Sequence, residues 1–167
     1  MKITRRQLNA IILESLSSAD VVRHQAIKLA KKGRELNEVP VGAIVTFKGE
    51  IIGKGYNQCI QNQDPTAHAE IIAMRAAAKH IGNYRLNECN LYVTLEPCLM
   101  CFGACVHARI SKLIYGADDL KIGAVKSNLE QINSTKLNHK FEIISGILKE
   151  ECAEVLSSFF KEKRLKN

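Results

Sequence analysis

Two short segments constrain this chain more than anything else in it. The first, Pro65-Thr66-Ala67-His68-Ala69-Glu70, contains an H-x-E; the second, Glu96-Pro97-Cys98-Leu99-Met100-Cys101, contains a P-C-x-x-C. Together they offer one imidazole, two thiolates and one carboxylate. A zinc site that does chemistry takes three protein ligands and keeps its fourth tetrahedral position for water. Neutral His68 with ionised Cys98 and Cys101 would balance the ion's double positive charge. Glu70, two residues from a ligand, would then be free to accept a proton and hand it on. A structural zinc site would instead recruit a fourth Cys or His and shut water out, and a redox C-x-x-C pair needs neither His68 nor Glu70. The pattern predicts catalytic zinc, with His68, Cys98 and Cys101 as ligands and Glu70 as proton carrier.

The flanking periodicities predict where these segments sit. Leu8, Ile11, Ile12 and Leu16 at helical spacing suggest a short amphipathic helix over 4–17, within an N-terminal extension of 1–19. Asp20 is a candidate N-cap for a helix reaching about Arg34, with Val22, Ala26, Ile27, Leu29 and Ala30 inward, ended by Gly33 and the Asn37-Glu38 pair. Val41 to Phe47 and Glu50 to Tyr56 read as strands joined at Lys48-Gly49, a hairpin signal, followed by a polar loop over 57–63. Pro65 prepares a helix whose Ala69, Ile72, Ala73, Ala76 and Ala77 form a small-residue face, with His68 and Glu70 in its first turn. A strand over 91–95 leads into a helix that Cys98 opens and that ends near Ala108. The i, i+3 spacing of Cys98 and Cys101 brings both sulfurs to one side of a helix N-terminus, where the dipole favours thiolate. The strand expected over 112–117 follows a helical crossover, so it should run parallel to its predecessor. Beyond it come a loop-rich stretch over 118–138 with a short helix near 129–132, a fifth strand over 141–145 and a terminal amphipathic helix over 148–163. The sum is an α/β fold: three α/β/α layers on a five-stranded mixed sheet, formed by one domain over 20–167.

The charge balance bears on the partner. Lysine and arginine outnumber aspartate and glutamate for a net charge of +7, which favours a polyanion over a small neutral metabolite. No apolar run approaches the ~20 residues a membrane helix needs. The first 18 residues carry Lys2, Arg5 and Arg6 but are broken by Asn9 and Glu14, which argues against a secretory signal; a short basic, Ser-containing leader leaves organelle targeting open, and without it the cytoplasm is the default location. Of the six cysteines, four have no framework spacing and read as small buried apolar groups. Cys105 lies a further turn beyond Cys101, about 10 Å along the axis from Cys98 at ~1.5 Å rise per residue, too far to share the metal.

Several longer runs carry a resemblance. Glu38-Val-Pro-Val-Gly-Ala43, Asp64-Pro-Thr-Ala-His-Ala-Glu-Ile71, Asn83-Tyr-Arg-Leu86, Leu91-Tyr-Val-Thr-Leu-Glu-Pro-Cys-Leu-Met-Cys101 and Gly146-Ile-Leu-Lys-Glu-Glu-Cys152 resemble the bacterial tRNA adenosine deaminases, zinc enzymes of the cytidine-deaminase superfamily. The likeness spans roughly 20–163. It implies a cytidine-deaminase-like fold, a homodimer, one zinc per subunit, and conversion of adenosine to inosine at the wobble position of a tRNA anticodon. The partner implied is the anticodon stem-loop, with neither DNA nor membrane. His68, Cys98 and Cys101 match the family's zinc ligands and Glu70 its proton shuttle. That mechanism is the known one of the nucleobase deaminases, the tRNA enzyme being itself an established example; the resemblance supplies it, and the spacing alone does not. Asn57 matches a residue that touches the target nucleotide. Asp119 and Lys121 match a loop lying along the RNA, and Phe159 and Phe160 a terminal-helix pair near the bound anticodon; at that spacing two aromatics could equally be core. Phe102 stands where the family has a small residue, and Lys126 where it has Gly. A deaminase of free guanine, cytosine or a pterin-like base would carry the same zinc segments. A non-catalytic RNA-binding subunit would have no use for Glu70.

Overall fold

The computed structural model describes residues 4, 18–128 and 136–166. The helix expected over 4–17 lies, apart from Thr4, outside them, as does the short helix expected near 129–132. The described chain runs α1 (Ser18–Glu35), β1 (Gly42–Phe47), β2 (Glu50–Tyr56), α2 (Cys59–Asn62), α3 (Ala69–Ile81), β3 (Cys89–Leu95), α4 (Leu99–Ala108), β4 (Lys112–Ala117), β5 (Glu142–Ile144) and α5 (Lys149–Lys166).

The five strands form one sheet in the order β2-β1-β3-β4-β5. β1 is antiparallel to both β2 and β3, whereas β3, β4 and β5 are parallel, as the crossover through α4 requires. The hairpin turn places Lys48 at φ 49° and Gly49 at φ 83°, the two positive values that a tight turn matching strand twist demands. The strands bury both faces. Ala43, Val45, Leu91, Val93 and Leu113 pack under α3 and α4, while Ile44 packs against Val22 and Ala26 of α1. On that second face Ile27 and Ala30 of α1 also meet Cys152 and Val155 of α5. The layers are therefore α1 and α5, the sheet, then α3 and α4.

α3 lies close enough to β2 that its backbone occupies the space of a missing side chain. A Cβ on Gly55 would fall 2.3 Å from the Ala69 carbonyl oxygen and 2.7 Å from the Ala73 nitrogen. The small-residue face read from the sequence is thus matched by glycine across from it.

Three local expectations need correction. Asp20 does not cap α1, which starts at Ser18; its carboxylate sits in the first turn and binds Arg23 at 2.8 Å, a favourable i, i+3 pair. Gly33 lies buried within the helix, and the chain turns out of it at Asn37-Glu38: Asn37 has φ 67° and the Glu38 amide donates back to the Gly33 carbonyl at 3.0 Å. The 57–63 stretch is not all loop: the Glu38 carboxylate, itself buried, accepts the Ile60 and Gln61 amides at 2.8 and 2.9 Å and so satisfies the start of α2.

Candidate metal and catalytic site

His68 and Cys98 are both helix N-caps, with extended backbone ahead of α3 and α4 respectively. Neither side chain caps its own helix. For α3 the work passes to Asn57, whose Oδ1 accepts the Ala69 amide at 2.8 Å, leaving the imidazole free to point elsewhere. It points at sulfur: His68 Nδ1 lies 3.7 Å from Cys98 Sγ and 3.5 Å from Cys101 Sγ. The three donor atoms all fall within 4.8 Å of one another, and among the described residues no fourth Cys, His or carboxylate joins them. One imidazole and two sulfurs with no fourth protein donor suit zinc in an open, catalytic site and not a closed structural one. Cys105 is fully buried in the apolar core instead.

Electrostatics sharpen the picture. The Cys98 thiol is pulled down to about 4, chiefly by its hydrogen bond from Cys101 and further by that to His68, against burial. Cys101 is pushed far up, first by that same shared hydrogen bond and then by burial. The opposite directions arise from one hydrogen bond shared by the two sulfurs, so the pair titrates as a unit; zinc bound between them would hold both as thiolates. Glu70, buried on the second residue of α3, is raised to about 7 by desolvation, with its own backbone amide and His68 acting in the opposite direction. A carboxyl balanced near neutrality beside a metal-type donor set can both take and give a proton.

The comparisons with known proteins agree with this geometry. A family profile described as MafB19-like deaminase matches residues 17–164. A tRNA-specific adenosine deaminase of Haemophilus influenzae is 51% identical over 140 residues, covering 83% of this chain and 81% of that one. The Bacillus subtilis tRNA-specific adenosine deaminase is 42% identical over 151 residues, covering 90% and 94%. The chain belongs to the tRNA-specific adenosine deaminase family. A solved structure from work on A-to-I editing by tRNA:A34 deaminases at the wobble position of transfer RNA superposes at TM-score 0.79 and 39% identity, over 82% of this chain and 99% of that one.

The remaining expected residues of this deaminase divide by what they touch. Asn57 sits one step from His68 through its bond to Ala69, and is mostly buried. Asp119 is half-buried and folds the loop after β4: its Oδ1 accepts the Lys121 and Ile122 amides at 3.0 and 3.2 Å. Lys121 is exposed on that turn. Phe159 is buried, with the Lys163 ammonium 5.5 Å from its ring centre, whereas Phe160 is exposed and meets Phe159 edge-on at 5.4 Å. Phe159 shares a groove with Arg34, Asn37 and Lys166. Phe102 turns inward against Phe141, ring centres 5.5 Å apart, so its bulk is absorbed in the core. Lys126 needs no glycine conformation, having a negative φ.

One residue escaped the sequence reading. Glu96, next to Pro97, is buried and accepts five hydrogen bonds from the loop after β4. Oε1 takes the Val125, Lys126 and Ser127 amides at 3.1, 2.7 and 2.9 Å; Oε2 takes the Asp119 amide at 2.9 Å and the Ser127 hydroxyl at 2.5 Å. Burial alone would raise its pKa, but these donors win and hold the carboxyl below its ordinary value.

Proposed function

We propose that this deaminase converts adenosine to inosine at the wobble position of a tRNA anticodon, in the cytoplasm, with zinc held by His68, Cys98 and Cys101. The observation that carries the reading is Glu70, buried and balanced near neutrality beside a three-donor set with no fourth protein ligand. His68, Cys98 and Cys101 would hold the zinc, which would supply an acidified water as the nucleophile. Glu70 would carry a proton from the water to the adenine ring nitrogen and assist the exocyclic nitrogen to leave as ammonia. Atoms balance: adenosine and water give inosine and ammonia. An anticodon loop suits such a site, because an unpaired base enters a pocket at little unstacking cost.

The wider surface supports an RNA partner. The net charge of +7 favours phosphate, and Lys121 stands exposed two residues past Asp119 on the loop held by Glu96. In the proposed complex Asn57, Asp119 and Lys121 line the nucleotides, and Phe160 offers an exposed ring. Leu99 and Met100, 55% and 37% exposed on the first turn of α4, support a homodimer that covers them. Among the described residues no helix is long and apolar enough to cross a membrane.

The test is incubation of zinc-loaded protein, wild type and Glu70→Ala, with an anticodon stem-loop bearing adenosine at the wobble position, read by mass. Inosine from wild type alone is expected. Ammonia release from free guanine or cytosine, with the RNA untouched, would replace the substrate assignment.

A further inference from the structure

Glu96 lies between two things the reaction needs in register. On its C-terminal side, one residue intervenes before Cys98. On its carboxylate hangs the whole loop 119–127, through three backbone amides on Oε1 and an amide and a hydroxyl on Oε2. The loop is sewn to the same segment twice more. The Ala124 amide donates to the Pro97 carbonyl at 2.9 Å, and Cys98 and Gly123 form an isolated antiparallel bridge. Gly123 fits because it has no side chain: a Cβ there would fall 2.4 Å from the Glu96 carboxyl carbon and 2.4 Å from the Asp119 carbonyl oxygen. The tip so held carries Leu120 and Ile122, 82% and 62% exposed, with Lys121 between them. Two large apolar side chains are held outward by a turn whose Lys121, Ile122 and Gly123 amides all donate to Asp119, forming a rim rather than a collapsed loop.

We propose that Glu96 is a positioning residue, fixing the 119–123 tip at a set height over the Cys98 end of the site so that the tip clasps the RNA beside the target nucleotide. It acts through the loop and touches no reacting atom. The proposal rests on the RNA reading above for its substrate, but not for its mechanics. Replacing Glu96 with Gln separates the two halves of the loop. The amide oxygen can keep the three Oε1 donors, whereas the amide nitrogen can still donate to the Ser127 hydroxyl but cannot accept the Asp119 amide. Glu96→Gln should therefore release the tip while leaving 125–127 and Cys98 in place.

The experiment uses full-length zinc-loaded protein, wild type and Glu96→Gln, with three readouts. Zinc content and the cobalt-substituted absorption spectrum should be unchanged. Amide hydrogen exchange should accelerate across 119–123 and not across 125–127. For the anticodon stem-loop, KM should rise roughly tenfold with kcat within about threefold, the scale expected when a charge-assisted hydrogen bond that only positions is removed. Gly123→Ala, which pushes the loop off the same carboxylate without altering it, should give the same pattern, and the double variant should be no worse than either alone. If Glu96→Gln does not fold, Gly123→Ala decides by the same three readouts. Unchanged exchange and unchanged KM would overturn the proposal, as would loss of zinc or a fall confined to kcat. If wild type does not act on the RNA at all, the function reading fails, and hydrogen exchange alone decides whether Glu96 holds the tip.

Discussion

In the proposed reaction, burial of Glu70 that would be a liability elsewhere is what would make the group useful. A solvated carboxylate stays ionised at neutral pH and returns a proton poorly, whereas this one is raised to about 7 by desolvation. Glu70→Gln preserves the shape and removes the titration. Turnover should fall by roughly 10²–10⁴, the range for loss of a positioned general acid–base, while zinc content measured by atomic emission stays at the wild-type level. Loss of zinc in that variant would make Glu70 a ligand. At Glu96 the sign of the pH effect runs with a depressed carboxyl: its stabilisation is complete above the ordinary value of 4.5 and is lost as pH falls through the lower folded value. Urea unfolding should therefore show wild type well above Glu96→Gln near neutrality, with the gap closing below pH 4.5; a gap independent of pH would mean that the charge contributes nothing.

Among the elements, the α3–β2 contact is the most demanding, since Gly55 meets backbone atoms that no rotamer change can move. Gly55→Ala must push α3 outward and should cost about 1–3 kcal/mol in chemical denaturation, the usual scale for overpacking. Because His68 immediately precedes Ala69, whose carbonyl takes the clash, zinc affinity should drop as well; a stability loss with unchanged zinc affinity would show that the helix start adjusts independently. The elements also explain what could be read in advance. The grouping of His68, Cys98 and Cys101, with Glu70 two residues from the imidazole, was legible because each pair lies within one helical turn and carries distinctive donor atoms. The parallel β3–β4 pairing followed from the α4 crossover. Glu96 and Glu38 were not legible, because what they bind is backbone N–H, which has no residue identity and reaches them from 22 to 31 residues away.

For the molecule as a whole, the expectations concern charge and assembly. RNA binding should weaken with salt, and Lys121→Ala should lower the slope of log Kd against log salt by about 0.7–1, the change expected when one phosphate no longer meets its lysine. An unchanged slope would place Lys121 off the RNA. Leu99→Asp combined with Met100→Asp should convert the proposed dimer into a monomer in analytical ultracentrifugation, and a dimer that survives would locate the interface elsewhere. The way the ligands are distributed along the chain has a further effect. His68 comes from one helix start and the two sulfurs from another 30 residues later, with α3 and β3 between them. Of the proposed set an unfolded chain brings together only the two sulfurs, with Cys105 and His107 as competing neighbours, so the complete His68-Cys98-Cys101 set would form only once the strand–helix–strand unit has closed. In the proposed site zinc would ratchet the finished fold rather than seed it: added early in refolding it should not speed the reaction, yet once bound it should slow unraveling and raise the melting temperature with its concentration.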